Sequence, residues 1–158
     1  MAERRGEGPG HADLRAMALR YLARREYAAG ELTERLRRRG ARPGDAEAVV
    51  AELVEQGLVS DRRFAEAFVR SRVQRLYGPL RIRAELRARG VGDDTVEALL
   101  GALADDWQEH ALAWCRKGLE GALDHDMRVR LYRRGSRRGF THEQLMRALD
   151  RLAGEGQR

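Results

Sequence analysis

Thirty of the 31 basic side chains in this 158-residue chain are arginines, and two groups of them fall at helical spacing. Arg83 and Arg87 are four residues apart, while Arg130, Arg133, Arg134 and Arg137 stand at i, i+3, i+4 and i+7. Residues so spaced share one face of an α-helix. A guanidinium is planar, permanently charged and carries a fork of donors that matches phosphate or carboxylate in bidentate fashion. The chemistry open to such faces is recognition of a polyanion or of an acidic protein surface. Arg70, Arg72 and Arg81 lie in the same basic stretch as the first pair, which makes these nine arginines the candidate contact residues. Few acids are expected close enough to either group to neutralise it. Arg35, Arg38 and Arg39 form a further group, diluted by Glu31 and Glu34. The competing reading of any one of these arginines is a solvated face laced by i,i+4 ion pairs.

Residue patterns that would carry catalysis are missing from the sequence. There is no phosphate-binding Gly-rich loop ending in Lys-Ser or Lys-Thr, and no Gly-x-Ser-x-Gly turn. His11, His110, His125 and His142 have no His or Cys at metal-ligand spacing. His125 lies between Asp124 and Asp126, where an exposed helix-start loop is expected rather than a cation site. Asp105 and Asp106 read as a helix N-cap and a first-turn acid, favoured there by the helix dipole. Cys115, the single cysteine, excludes an intramolecular disulfide, and beside Trp114 it reads as a buried structural thiol in a reducing cytoplasm. No apolar run approaches the roughly 18 residues of a membrane span, and no leader is expected. A non-enzymatic, cytoplasmic, monomeric protein without cofactor or metal is the expectation. Its formal charge of +6 favours polyanionic or acidic partners.

The elements that must position the arginines are helical throughout. Residues 1–13 are expected as a flexible tail. Leu14, Met17, Ala18, Tyr21 and Leu22 then mark an amphipathic helix. A second helix, opened by Gly30, is seamed by Leu32 and Leu36 and stopped by Gly40. A third begins after Pro43-Gly44 and turns Ala46, Val49, Val50 and Leu53 inward. Ser60 and Asp61 start the next helix, in which Phe64, Ala67, Phe68 and Ser71 keep helical spacing up to Tyr77-Gly78. Pro79 suits the first turn of its successor, seamed by Ile82 and Leu86 and closed by Gly90. Val96, Leu99, Leu100 and Leu103 mark the sixth helix. Trp107, Ala111 and Trp114 mark the seventh, a looser element surrounds Met127 and Leu131, and Thr141 with Gln144 form a capping box for a last helix burying Leu145, Leu149 and Leu152.

Shifting the chain by 50 places Arg20 on Arg70, Tyr27 on Tyr77, Leu36 on Leu86 and Gly40 on Gly90, and a shift of 49 then places Gly90 on Gly139. The predicted architecture is all-α: three tandem three-helix repeats over 14–57, 58–104 and 105–153, with 154–158 as a tail, stacked into an elongated, curved helical array. At Gly135, the position of Leu36 and Leu86, the third repeat is expected to have lost a core residue.

The ordered set of Gly57-Leu58-Val59-Ser60-Asp61, Phe64-Ala65, Arg70, Arg72, Tyr77-Gly78-Pro79, Ile82, Glu85-Leu86 and Gly90-Val91 resembles the RecX family of RecA regulators. Ala18-Leu19 and Leu22-Ala23-Arg24-Arg25-Glu26 fit its opening helix, and Arg138-Gly139-Phe140-Thr141 its closing segment, so the resemblance spans roughly residues 14 to 152. It implies tandem three-helix repeats and a protein that binds RecA and its filament on single-stranded DNA. It further implies inhibition of recombinase, ATPase and co-protease activity by blocked extension or promoted disassembly, with no catalytic residue. Weak direct DNA binding, no membrane association and a monomeric state go with it. Two other readings of the cationic helices stand beside it, a stand-alone nucleic-acid-binding module and a helical-repeat scaffold for another acidic protein.

Overall fold

The computed structural model describes residues 8–158, and among them the chain forms nine α-helices and no strand. They are α1 (His11–Leu22), α2 (Ala29–Arg38), α3 (Asp45–Glu55), α4 (Asp61–Gln74), α5 (Pro79–Ala88), α6 (Asp93–Gly101), α7 (Trp107–Gly118), α8 (His125–Arg138) and α9 (His142–Glu155). The fold is thus all-α, with its helices in three successive trios. Residues 1–7 of the expected tail lie outside the described residues, and α1 begins at His11 with Gly10 at its N-cap. The helices divide into two compact units, the first reaching Ala67 and taking in Arg89–Val91, the second holding Phe68–Ala88 and Gly92–Arg158.

In the first unit Leu14 and Ala18 of α1, Leu32 and Leu36 of α2, and Ala46, Val49, Val50 and Leu53 of α3 close one core with Tyr27 and Val59. The i+3/i+4 spacing of each set puts it on one stripe, and three such stripes facing inward remove almost all of this apolar surface from water. Ala28 at the N-cap of α2 has no side chain able to accept a hydrogen bond. Asp61, expected only as a first-turn acid of α4, supplies the cap: its Oδ1 accepts the Ala29 N–H at 2.8 Å. Ser60 Oγ accepts the Arg63 N–H at 3.2 Å, as its position predicts.

In the second unit Phe68, Val69, Ile82, Leu86, Val96 and Leu100 are buried in the α4–α6 part. Trp107 Nε1 donates to the Leu100 carbonyl at 3.2 Å. Ala111, Leu112 and Cys115 of α7, Met127 and Leu131 of α8, and Leu145, Ala148, Leu149 and Leu152 of α9 close the C-terminal core with Phe140. Thr141 and Gln144 form the expected capping box on α9.

Four expectations are corrected. The helix carrying Phe64 and Phe68 ends at Gln74 rather than at Tyr77-Gly78. Leu76 takes the left-handed turn itself, with φ 59°, and closes a Schellman motif in which Tyr77 N–H reaches the Arg72 carbonyl at 3.0 Å and Leu76 N–H the Val73 carbonyl at 2.9 Å. Asp106 sits at the N-cap of α7 but its side chain makes no capping bond. The segment around Met127 and Leu131 is a regular 14-residue helix, capped by Asp124 through the Met127 N–H at 2.8 Å. Gly135 leaves no gap in the core, because a Cβ there would lie 2.4 Å from Leu145 Cδ2 and 3.0 Å from the Trp114 ring. Two larger side chains fill the space that Leu36 and Leu86 fill in their own trios.

The ends of α4 and α8 meet inside the second unit. Gly78 N–H donates to the Arg138 carbonyl and Leu80 N–H to the Gly139 carbonyl, both at 2.9 Å. A Cβ on Gly78 would stand 2.2 Å from the Gly139 carbonyl carbon, and Gly139 itself has φ 101°, so neither position tolerates a side chain. Gly78→Ala should therefore destabilise the protein by roughly 1–3 kcal/mol through overpacking. Gly101→Ala, with nothing within 4 Å of the new Cβ, should instead stabilise it by about 0.4–1 kcal/mol. Leu86→Ala, at a fully buried position, should cost roughly 2–4 kcal/mol. Denaturant titration of the three variants measures all of these, and equal midpoints for the two glycine variants would refute the close approach.

Candidate cationic contact surface

The nine candidate arginines fall into two electrostatic states. Arg72 Nε donates to Glu85 Oε2 at 2.8 Å, with the two side chains only 20% and 23% exposed. Its guanidinium also lies 4.2 Å from the Phe68 ring centroid. Arg81 Nε reaches Glu85 Oε1 at 3.3 Å and stands 4.5 Å from the Tyr77 ring centroid. Arg83 forks onto Glu97 at 2.7 and 3.2 Å. Arg87 Nε donates to Asp93 Oδ1 at 2.8 Å, and its Nη2 lies 3.7 Å from Glu97. The expectation that few acids reach this face is corrected: Glu85 lies one turn from Arg81 on α5 and also meets Arg72 of α4, and α6 brings Asp93 to Arg87 and Glu97 to Arg83. Of the five candidates in this trio only Arg70 is exposed without an ion-pair partner among the described residues.

The carboxylates record the pairing. Partial burial works to raise the Glu85 carboxyl, but hydrogen bonds and charge from Arg72, then Arg81, outweigh it and leave it below its ordinary value. The Arg83 hydrogen bond is the main cause that holds Glu97 below its ordinary value. A depressed carboxylate contributes stability that is present above the ordinary Glu range and lost as pH falls through the lowered folded value.

The C-terminal trio differs. Arg130, Arg133, Arg134 and Arg137 are all exposed on α8, and none has an ion pair among the described residues. The neighbouring Arg128 and Arg138 are committed elsewhere, Arg128 to Asp150 at 2.5 Å and Arg138 to the Arg75 and Leu76 carbonyls. Arg138 also lies over the Tyr77 ring at 3.6 Å. The i, i+3, i+4, i+7 spacing of the four free arginines sets them along one side of α8, the one uncompensated cationic stripe that sequence spacing located.

Sequence reasoning named Arg138 only as part of a motif and gave no binding role to Arg75, Lys117 or Trp114, the last placed only in the apolar seam of its helix. These three line a hollow of about 240 Å³ in the second unit together with Arg134 and Arg138. Their joint position depends on the turns after α4 and α7, which no periodicity encodes. The remaining candidate for reactive chemistry recedes: burial pushes the Cys115 thiol from its ordinary 9.0 up to about 11. Because the folded state holds the thiol neutral, stability tied to this group should decline as pH rises from about 9 to about 11. At pH 8 the native protein should leave a disulfide reagent unconsumed until denaturant is added, and prompt reaction of the native thiol would contradict the burial.

Tandem three-helix domains, one of them bearing an arginine stripe, place the chain among the all-α helical-repeat proteins. Comparisons with known proteins make the assignment narrower. Residues 15–53 match the family model described as RecX, first three-helix domain, and residues 60–100 that described as RecX, second three-helix domain. Regulatory protein RecX of Halorhodospira halophila is 43% identical over 137 residues, 85% of each chain. That of Pseudomonas savastanoi pv. phaseolicola is 43% identical over 147 residues, 90% of this chain and 93% of its own. The crystal structure of RecX from Lactobacillus salivarius shares the fold, with TM-score 0.77 at 19% identity over 90% of this chain and 96% of that one. This chain belongs to the RecX family of regulatory proteins.

Proposed function

We propose that the chain is a non-catalytic regulator of the RecA recombinase. It binds RecA and the RecA filament on single-stranded DNA, and it lowers ATPase, strand-exchange and co-protease activity by blocking filament extension or promoting disassembly. Membership of the RecX family over 85% of the chain is the observation that carries this reading. The three trios, taken as repeats over 14–57, 58–104 and 105–153, act as a cytoplasmic monomer without cofactor.

The distribution of ion pairs ranks the contact residues. Arg130, Arg133, Arg134 and Arg137 offer guanidinium groups with no carboxylate to give up, so a phosphate or acidic surface gains their full interaction. Arg81, Arg83 and Arg87 must first release Glu85, Glu97 or Asp93, and Arg72 must leave a partly buried aromatic seat. Contact through Arg70 carries no such cost. Exposed ion pairs contribute little to stability, but they neutralise the field that a partner would feel.

RecA's ATP hydrolysis on single-stranded DNA, with this protein titrated in, tests the proposal. Inhibition at well under one copy per RecA is expected and favours blocked growth over uniform coating. Arg133→Glu with Arg137→Glu should raise the half-inhibitory concentration by about ten-fold or more, and Arg83→Glu with Arg87→Glu by less. Unchanged inhibition by the first pair would remove the α8 stripe from the contact surface. Absence of inhibition at any ratio, with salt-sensitive DNA binding intact, would leave a stand-alone nucleic-acid-binding module, the reading that an unpaired cationic stripe also supports.

A further inference from the structure

The hollow on the second unit has a composition unlike the rest of the cationic surface. Its walls are Arg75, Leu76, Trp114, Lys117, Leu131 and Arg134, with Arg138 and Gly118 completing it, and no carboxylate lines it. Arg75, Lys117 and Arg134 are exposed, and none of their side chains has an acidic partner among the described residues. Arg138 is held away from free ligand duty by its bonds to the Arg75 and Leu76 carbonyls. Three uncompensated positive charges thus surround one half-buried indole.

That indole is held from two sides. Its ring lies against Gly135, where a Cβ would come within 3.0 Å of it, and its centroid is 6.1 Å from that of Phe140 at a tilt of 44°. The Trp107 indole N–H is spent on a carbonyl. By contrast Trp114 Nε1 has no acceptor among the described residues. A fixed aromatic surface costs little entropy when a planar ligand stacks on it, and flexible cations at its edge can close on an anion.

We propose that this hollow binds a nucleotide unit, its base stacked on Trp114 and its phosphate held among Arg75, Lys117 and Arg134. The combination of aromatic platform and basic rim is the one by which proteins hold single-stranded nucleic acid without reading sequence. A volume of about 240 Å³ is smaller than that of a drug-sized pocket and suits one base with its sugar and phosphate at the mouth. The ligand chemistry is shared by a free nucleoside polyphosphate and by one residue of a single strand. The inference goes beyond regulation of RecA, and it stands or falls with no RecA present.

Tryptophan emission of the full chain tests it at low salt, about 50 mM, against ATP and against an oligothymidylate of about eight nucleotides. Quenching by the oligonucleotide alone assigns the site to a strand, and quenching by ATP as well assigns it to nucleotides in general. Either result supports the site if Trp114→Leu abolishes the signal while helical circular dichroism is retained. The double variant Arg75→Gln, Lys117→Gln removes only exposed charges. Followed by anisotropy of a labelled oligonucleotide, or by competition with ATP, it should bind about ten-fold more weakly or worse and, for the oligonucleotide, lose about one from the salt slope. Binding of equal strength by that variant, binding without any change in Trp114 emission, or no quenching by either probe would overturn the proposal.

Discussion

The pair of backbone hydrogen bonds that Gly78 and Leu80, after α4, donate to the turn after α8 is the constraint on which the second unit depends. Each turn is a Schellman cap. At α8 the left-handed residue is Gly139, and Phe140 N–H reaches back to the Gly135 carbonyl at 3.1 Å. At α4 the same place is taken by Leu76, a bulky residue for which the left-handed region costs on the order of 1 kcal/mol. The Arg138 guanidinium donates to the carbonyls of Arg75 and Leu76 and covers the Tyr77 ring. It thereby satisfies cap carbonyls that would otherwise face water or nothing. Because Gly78 and Gly139 have no Cβ, the two turns come close enough to bond, and this sets where α5 begins and where α8 ends. The free arginines of α8 and the hollow around Trp114 take their places from that arrangement.

A related device operates within the first unit, displaced by the repeat shifts of 50 and 49 residues. There Gly30 is the residue of close approach, with a hypothetical Cβ 3.2 Å from the Arg89 carbonyl and 3.8 Å from the Gly90 Cα. Arg89 lies 3.5 Å from Glu31, and Arg25 stacks on Tyr27 at 3.6 Å while donating to the same glutamate at 2.9 Å. The position of the glycine and the partner of the arginine have changed, yet a tyrosine, a cation and an Arg-Gly pair recur. What the repeats share is thus a way of bringing one turn onto the start of a helix, as well as a pattern of core leucines.

Charge is allotted unevenly over this frame. The α4–α6 part has the densest excess of arginine in sequence, and most of it is spent on Glu85, Asp93 and Glu97 or on aromatic rings. The C-terminal trio is less basic on count, but its acids Glu109, Asp150 and Glu155 pair with Arg151, Arg128 and Arg116 rather than with the α8 stripe. Free cationic surface therefore collects where the formal excess is smaller. Screening at physiological salt acts over about 8 Å, so a partner feels these local differences more than the net charge.

Much of the fold was legible in residues alone, because it is written in short-range patterns. Leucine at i and i+4, proline and glycine at helix boundaries, and the Thr141–Gln144 box each act within one or two turns, and the repeat multiplies the signal. The α8 stripe was equally legible, since four residues on one helix face need no knowledge of any other helix. The Arg81–Glu85 pair is the i,i+4 contact that spacing offers, but tertiary structure alone decided the rest, because Glu85, Glu97 and Asp93 reach Arg72, Arg83 and Arg87 across turns and helix pairs that spacing cannot score. It also decided that Leu76 rather than a glycine would turn left-handed, since the Arg138 bonds that hold it come from 62 and 63 residues away. Gly135 looked like a missing core residue for the same reason: the Leu145 and Trp114 side chains that occupy its space arrive from two other helices.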